Sequence, residues 1–182
     1  MFRWLSNNIF TVNRYLQISA SKFNHCSTVC PNHKGVLLAW YSGAGECHNN
    51  QSVYVISIEG SQQSEPLRIG DCTGNPVLIP AKNDAILLWS QFEDNGKVQQ
   101  LADRWKTCSL WVQKIGVRRG KVHLLGERNK ITEPSQHLLG RCNPIIHNGS
   151  TILPLYDEVE RTCVIFEGND LEYTETSRYG TD

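Results

Sequence analysis

Long apolar runs are missing from this sequence, and no stretch approaches the roughly 18 residues that a membrane-spanning helix needs. The N-terminal residues 1–20 mix Asn, Arg and Ser with apolar residues. They therefore lack the uninterrupted hydrophobic region of a secretion signal. We expect no membrane association and, by default, a cytoplasmic location.

An excess of one charge is also missing, because 18 Lys and Arg residues face 18 Asp and Glu residues. This balance gives no reason to expect a nucleic-acid partner or an anionic membrane surface. The basic pair Arg118-Arg119 precedes Gly120 and is typical of a solvated hairpin turn. The sequence therefore predicts no nucleic-acid partner.

The seven cysteines are odd in number and have no framework spacing. We expect reduced thiols that are mostly buried, including Cys26 and Cys142. A zinc site near the first cysteines is the alternative, but strand alternation sends Cys26 and Cys30 to one face and His25 to the other. We therefore expect no metal and no other cofactor.

What the sequence does contain is one pattern in three copies. The copies read HCSTVCPNHKGVLLAW at 25–40, GNPVLIPAKNDAILLW at 74–89 and RCNPIIHNGSTILPLY at 141–156. Each copy is an apolar strand, a polar turn and a second apolar strand that ends on Trp or Tyr, and each is followed by acidic residues. Self-similarity at such spacing is typical of a repeat architecture.

Further strand-like segments lie between the copies, so that each unit has about four strands, as in a propeller blade. Helical periodicity is confined to residues 98–105, inside an apparent insertion at 92–107. The sequence predicts one all-β domain over 1–182, a propeller-like array of about three four-stranded blades. The expected units span roughly residues 20–70, 71–136 and 137–182.

The repeats resemble those of the BNR-repeat, sialidase-like (neuraminidase-related) β-propellers. The resemblance covers about residues 20–170 and rests on His25 to Thr28, Gly35 to Trp40, Gly74 to Leu78, Leu139 to Ile146 and Leu153 to Glu158. The aspartate box of that family is absent here. Because closed propellers have at least about four blades, the resemblance implies a partial propeller or one that a homo-oligomer completes.

The resemblance implies recognition, and hydrolysis as a further step, of a glycan that carries an acidic sugar. Arg141 would bind the sugar carboxylate through paired hydrogen bonds. Glu46 or Glu158 would serve as acid/base, and His25 would help to orient the substrate. Each has a structural alternative: an ion pair within the fold for Arg141, solvated loop positions for the acids, and a satisfied structural residue for His25.

Asn75, Asn143 and Trp40 are further candidates for substrate binding. The two Asn residues precede Pro at one repeat position, which also fits a purely architectural role. Trp40 could stack on a sugar or pack between blades. A second function class therefore remains open: a non-catalytic carbohydrate-binding or structural propeller fragment that closes by oligomerisation. Convergence of Arg141 and the two Glu residues on one pocket would favour the enzyme.

Overall fold

The computed structural model describes residues 21, 23–93 and 101–180. They form 14 strands in three antiparallel sheets and contain no α-helix. Two short 3-10 helices, Leu101–Thr107 and Pro134–Gln136, lie between strands. No helix in these ranges is long and apolar enough to cross a membrane. The all-β prediction is confirmed.

The first sheet is built from strands that follow one another in the chain. It contains β1 (Phe23–Asn32), β2 (Gly35–Gly43), β3 (Ser52–Glu59), β4 (Gln62–Gln63) and β5 (Leu67–Asp71). The order is β1-β2-β3-β4, and β5 also pairs with β3. The first strand of the unit therefore lies at the sheet edge.

The second and third sheets repeat this arrangement. The second runs in the order β6 (Thr73–Pro80), β7 (Ala85–Phe92), β8 (Cys108–Arg118) and β9 (Lys121–Lys130). The third contains β10 (Leu138–Gly140), β11 (Ile145–His147), β12 (Ser150–Asp157), β13 (Cys163–Asn169) and β14 (Glu172–Tyr179). Its order is β10-β12-β13-β14, with β11 also paired to β12. None of the three sheets is closed.

The core lies on both faces of the second sheet. Alternation along β7 sends Leu87 and Trp89 into one apolar cluster and Ile86 and Leu88 into another. The first cluster is shared with the first sheet, and the second cluster is shared with the third sheet. The three sheets are therefore stacked in chain order, with the second in the middle.

A β-bulge interrupts the first strand of each of the first two sheets. Pairing from Asn32 with Gly35 at the turn would place His25 opposite Ser42, but a register shift places it opposite Tyr41. The same shift occurs in β6 between Gly74 and Val77. In the third sheet, residues 141–144 separate β10 from β11. The irregularity thus recurs at one repeat position.

One expectation needs correction. Cys26 and Cys142 are exposed, as is Cys163, although all seven cysteines are thiols as expected. Cys26 lies in the β1 bulge and Cys142 in the break between β10 and β11, where the backbone leaves regular pairing. The helical pattern at residues 98–105 corresponds, within the described part, to the start of the 3-10 helix Leu101–Thr107.

Candidate functional site

The three repeated irregularities meet at one small pocket. Strand β6 contacts both β1 and β10, so the edge strands of all three sheets are neighbours. The pocket has a volume of about 50 Å³ and is lined by Cys26, Ser27, Thr28, Asn75, Pro76, Val77, Gly140, Arg141 and Asn143. Bulges commonly redirect side chains beside functional sites, and here they bring the polar groups together.

Asn75 forms the buried part of this pocket. It is 3% exposed and has a left-handed backbone with φ of 45°. Asn tolerates this conformation better than most residues, and the bulge in β6 provides the place for it. Its Nδ2 atom is buried and has no hydrogen-bond partner among the described residues.

Arg141 lies at the outer side of the pocket, directly after β10. The preceding Gly140 packs tightly, since a Cβ there would lie 2.6 Å from Cδ2 of Leu88. The Arg141 side chain is 48% exposed, and its Nη2 donates to Oε2 of Glu158 at 3.4 Å. A long, exposed ion pair of this kind contributes little to stability. The guanidinium therefore stays available to an incoming anion.

A hydrogen-bonded group supports the β1 side of the site. Nδ1 of His25 lies 2.8 Å from the Tyr41 hydroxyl, which donates to Oε1 of Glu46 at 3.5 Å. Tyr41 is fully buried, and burial together with the nearby Cys26 and Glu46 raises the pKa of its hydroxyl. Tyr41 therefore keeps its proton and can hold both His25 and Glu46 in place.

The Cys26 thiol connects this group to the pocket. Its Sγ lies 3.5 Å from Nδ1 of His25. Although Cys26 is exposed as a residue, partial burial of its thiol raises its pKa. A hydrogen bond with Tyr41 and the charge of Arg141 lower the pKa, and the Glu46 carboxylate raises it further. The net pKa lies above the usual value. Cys26 therefore remains a neutral thiol at pH 7.

Asp157, the last residue of β12, and Glu158, in the turn that follows, have different partners. Asp157 is 4% exposed and accepts hydrogen bonds from the backbone N–H groups of Val159 and Glu160, both at 2.9 Å. Arg178 donates to its other oxygen at 2.8 Å. Burial opposes ionisation of Asp157, but these hydrogen bonds and the Arg178 charge hold its pKa below the usual value. Asp157 is therefore structural.

The structure gathers some of the candidate residues and separates others. Arg141, Asn75 and Asn143 line the pocket, while His25, Glu46 and Glu158 lie beside it, linked through the contacts given above. Neither carboxylate is among the lining residues.

Trp40 is placed elsewhere. It is 9% exposed, stacks on Tyr54 with ring centroids 5.7 Å apart, and belongs to an apolar cluster on the opposite face of β2 from Tyr41. Packing within the first sheet therefore accounts for this side chain, and it does not line the pocket.

Sequence reasoning missed the contributions of Cys26, Thr28 and Tyr41 to the site. The repeat alignment held a signal for Cys26, because it occupies the same repeat position as Asn75.

Within residues 21, 23–93 and 101–180, no three His, Cys, Asp or Glu side chains come together in a way that could hold a metal ion. The polar lining of the pocket suits hydrogen bonding to an oxygen-rich ligand. The sequence matches no protein-family model and no curated protein.

Proposed function

We propose that this chain is a carbohydrate-binding protein of the β-propeller type, whose pocket recognises the carboxylate of an acidic sugar. The observation that carries the proposal is the meeting of Arg141, Asn75 and Asn143 at one pocket. A guanidinium binds a carboxylate through two parallel hydrogen bonds. The Arg141 side chain is 48% exposed, so a carboxylate of a ligand can reach it.

The arrangement of the sheets supports the propeller part of the proposal. Propeller blades are antiparallel sheets of about four strands, and their first strands surround a common axis. Here three such sheets follow one another, each with its first strand at an edge, and β6 contacts β1 and β10. The sialidase-like repeats of the sequence agree with this arrangement. The sheets would then be three consecutive blades.

Binding is supported better than hydrolysis. Glycoside hydrolysis needs two carboxyl groups roughly 5–10 Å apart on either side of the bond. Glu46 contacts Tyr41 and Glu158 contacts Arg141, and neither lines the pocket. In a hydrolytic version of the proposal these two residues would be acid and base, and His25 would orient the sugar.

Calorimetric titration with sialyllactose and with lactose tests the binding proposal, because the two ligands differ by the acidic sugar. We expect sialyllactose to bind more tightly, and Arg141→Gln to weaken its binding about 10- to 100-fold, as for loss of hydrogen bonds to a charged group. Arg128→Gln is the matched control, because Arg128 lies over Trp111 on the second sheet and outside the pocket. Equal affinities for the two sugars, or an unchanged Arg141→Gln variant, would overturn the proposal.

A fluorogenic sialoside separates binding from catalysis. If the unaltered protein releases the fluorophore and Glu46→Gln or Glu158→Gln does not, the substituted residue acts in hydrolysis. Binding without release would leave the non-catalytic function.

A homo-oligomer is the second part of the proposal. The third sheet exposes Ile145 at 60% and Ile146 at 51% on the short strand β11. Large exposed apolar side chains at a sheet edge favour association with another chain. The solution mass from light scattering tests this, and we expect Ile145→Ser with Ile146→Ser to lower it to that of one chain. A single-chain mass for the unaltered protein would contradict the proposal.

A further inference from the structure

Asn75, one of the residues that line the pocket, carries a buried hydrogen-bond donor that the described residues leave without an acceptor. This donor is Nδ2 of Asn75, on a residue that is 3% exposed. About 90% or more of buried polar groups in proteins have a partner, and an exception calls for an explanation. The donor belongs to a residue that lines the pocket, and rotation of the side-chain amide toward the pocket would let an acceptor of a ligand satisfy it.

The backbone of Asn75 supports a role for its side chain. The residue has φ of 45° at a β-bulge, a conformation that glycine would adopt without strain. Strained backbone is concentrated at functional sites. Elsewhere in the chain an Asn side chain serves the local backbone, as Asn32 does when its Oδ1 accepts the N–H groups of Lys34 and Gly35 at 2.9 Å. The Nδ2 atom of Asn75 makes no such contact within the described residues.

The size of the pocket limits what can enter. The pocket volume of about 50 Å³ exceeds the roughly 30 Å³ that a water molecule occupies in the liquid, so the pocket admits a substituent of a few heavy atoms. Pro76, Val77 and Gly140 also line the pocket and make part of its wall apolar. Burying an ionised group against one neutral donor is unfavourable. The group that pairs with the buried Asn75 amide is therefore an uncharged acceptor oxygen, while a carboxylate would be bound at the exposed side by Arg141.

We infer that Asn75 is a specificity-determining residue, whose amide donates a hydrogen bond to an uncharged oxygen of the bound sugar. The inference rests on the proposed glycan binding and adds a second contact to it. Arg141, at the exposed side, takes the charge, while Asn75, at the buried side, selects a neutral substituent. A sugar that lacks the matching oxygen leaves the amide unpaired and is bound more weakly.

The test uses the methyl α-glycoside of N-acetylneuraminic acid and analogues that each lack one neutral oxygen. With the unaltered protein, we expect one analogue to bind about 10- to 100-fold more weakly, the usual effect of leaving a buried donor unpaired. With Asn75→Gly, the parent sugar should bind as weakly as that analogue, and the two should no longer differ. Gly suits the left-handed backbone, so this variant is expected to fold.

Asn148→Gly is the matched control, because Asn148 also has a left-handed backbone, with φ of 49°, but lies exposed outside the pocket. It should not change any affinity. The side-chain amide signal of Asn75 in a ¹H–¹⁵N spectrum gives an independent readout, identified by its loss in Asn75→Gly. It should shift when the parent sugar is added.

The outcomes separate this inference from the proposed function. Tight, Arg141-dependent binding with no analogue sensitive to Asn75 would overturn the inference and leave the proposed function in place. Binding of neutral lactose that shifts the Asn75 signal, without any preference for the acidic sugar, would overturn the proposed function and support the inference. An unshifted Asn75 signal with both sugars would mean that a buried water satisfies the amide, and the inference would be wrong.

Discussion

Cys26 and Asn75 occupy the same position in successive sheets, and both have a left-handed backbone, with φ of 47° and 45°. Each lies where its edge strand shifts register by one residue, and each lines the same pocket. The repeat therefore conserves a backbone shape within this one chain while the side chain differs. The same bulged, left-handed backbone places the Cys26 thiol and the Asn75 amide at one pocket.

The left-handed backbone at Cys26 predicts an unusual ranking of substitutions. Valine is strongly disfavoured there by its branched side chain, whereas glycine is not. We expect Cys26→Val to be less stable than Cys26→Gly by about 1–2 kcal/mol in chemical denaturation. Cys142 is also exposed but has no positive φ, so the same pair of substitutions there should differ less. Equal stabilities at position 26 would mean that its backbone is not strained.

The buried carboxylate of Asp157 predicts a pH-dependent contribution to stability. Its folded pKa is lowered, so the contribution is present above the unfolded pKa of about 3.9 and is lost as the pH falls through the lower, folded value. Asp157→Asn should reduce the free energy of unfolding by about 1–3 kcal/mol at pH 7, and less at pH 3. Denaturant titrations at both pH values provide the measurement.

Asp71→Asn is the control for this effect, because the side chain of Asp71 is 61% exposed in its ion pair with Arg68. Exposed pairs contribute at most about 1 kcal/mol. A loss at Asp157 that is the same at pH 3 and pH 7 would show that charge is not its cause.

Alkylation with iodoacetamide should label the cysteines in a definite order. Cys142 and Cys163 are exposed and should react first. Cys26 should follow, because its raised pKa keeps it protonated, and only the thiolate reacts. Cys30 is 2% exposed, and burial raises its pKa to about 11, so it should react only after unfolding. Mass spectrometry of timed samples checks the order, and early labelling of Cys30 would contradict the structure.

The packing of the third sheet against the second predicts a difference between neighbouring residues of β12. Leu153 is fully buried in the cluster between these sheets. Leu153→Ala should therefore cost about 2–5 kcal/mol of unfolding free energy. Ile152 points to the other face and is only partly buried, so Ile152→Ala should cost clearly less. Similar losses of unfolding free energy for the two variants would contradict the assignment of Leu153, and not Ile152, to the core-facing side of β12.

Much of the fold could be predicted from residue patterns. The alternation and turns of residues 25–40 predict the hairpin of β1 and β2, and residues 74–89 predict that of β6 and β7. The bulges could not be predicted, because an extra residue in an edge strand is fixed by packing between sheets. A pairing scheme extended from Asn32 and Gly35 puts His25 opposite Ser42, one residue away from its true partner Tyr41.

The one-residue shift in pairing explains which contacts of the candidate site could be predicted from the sequence and which could not. Asn75 and Asn143 share a repeat position and Arg141 lies two residues before Asn143, so their convergence could be anticipated from the strand order alone. The contact of His25 with Tyr41 depends on the shifted register and could not. Glu46 lies in a turn after β2, where sequence gives no direction for the side chain, and its contact with Tyr41 is visible only in three dimensions.

The stacking of the sheets has a consequence for how the chain folds as it is synthesised. The first sheet is complete once Asp71 has left the ribosome, yet the side chains of Leu37, Tyr41 and Val55 on one of its faces are buried in a cluster shared with the second sheet. Until Trp89 and its neighbours emerge, that face has nothing to cover it. The smallest unit that can become stable during translation is therefore a pair of sheets, and a ribosome that pauses between them would present an apolar nascent chain to chaperones.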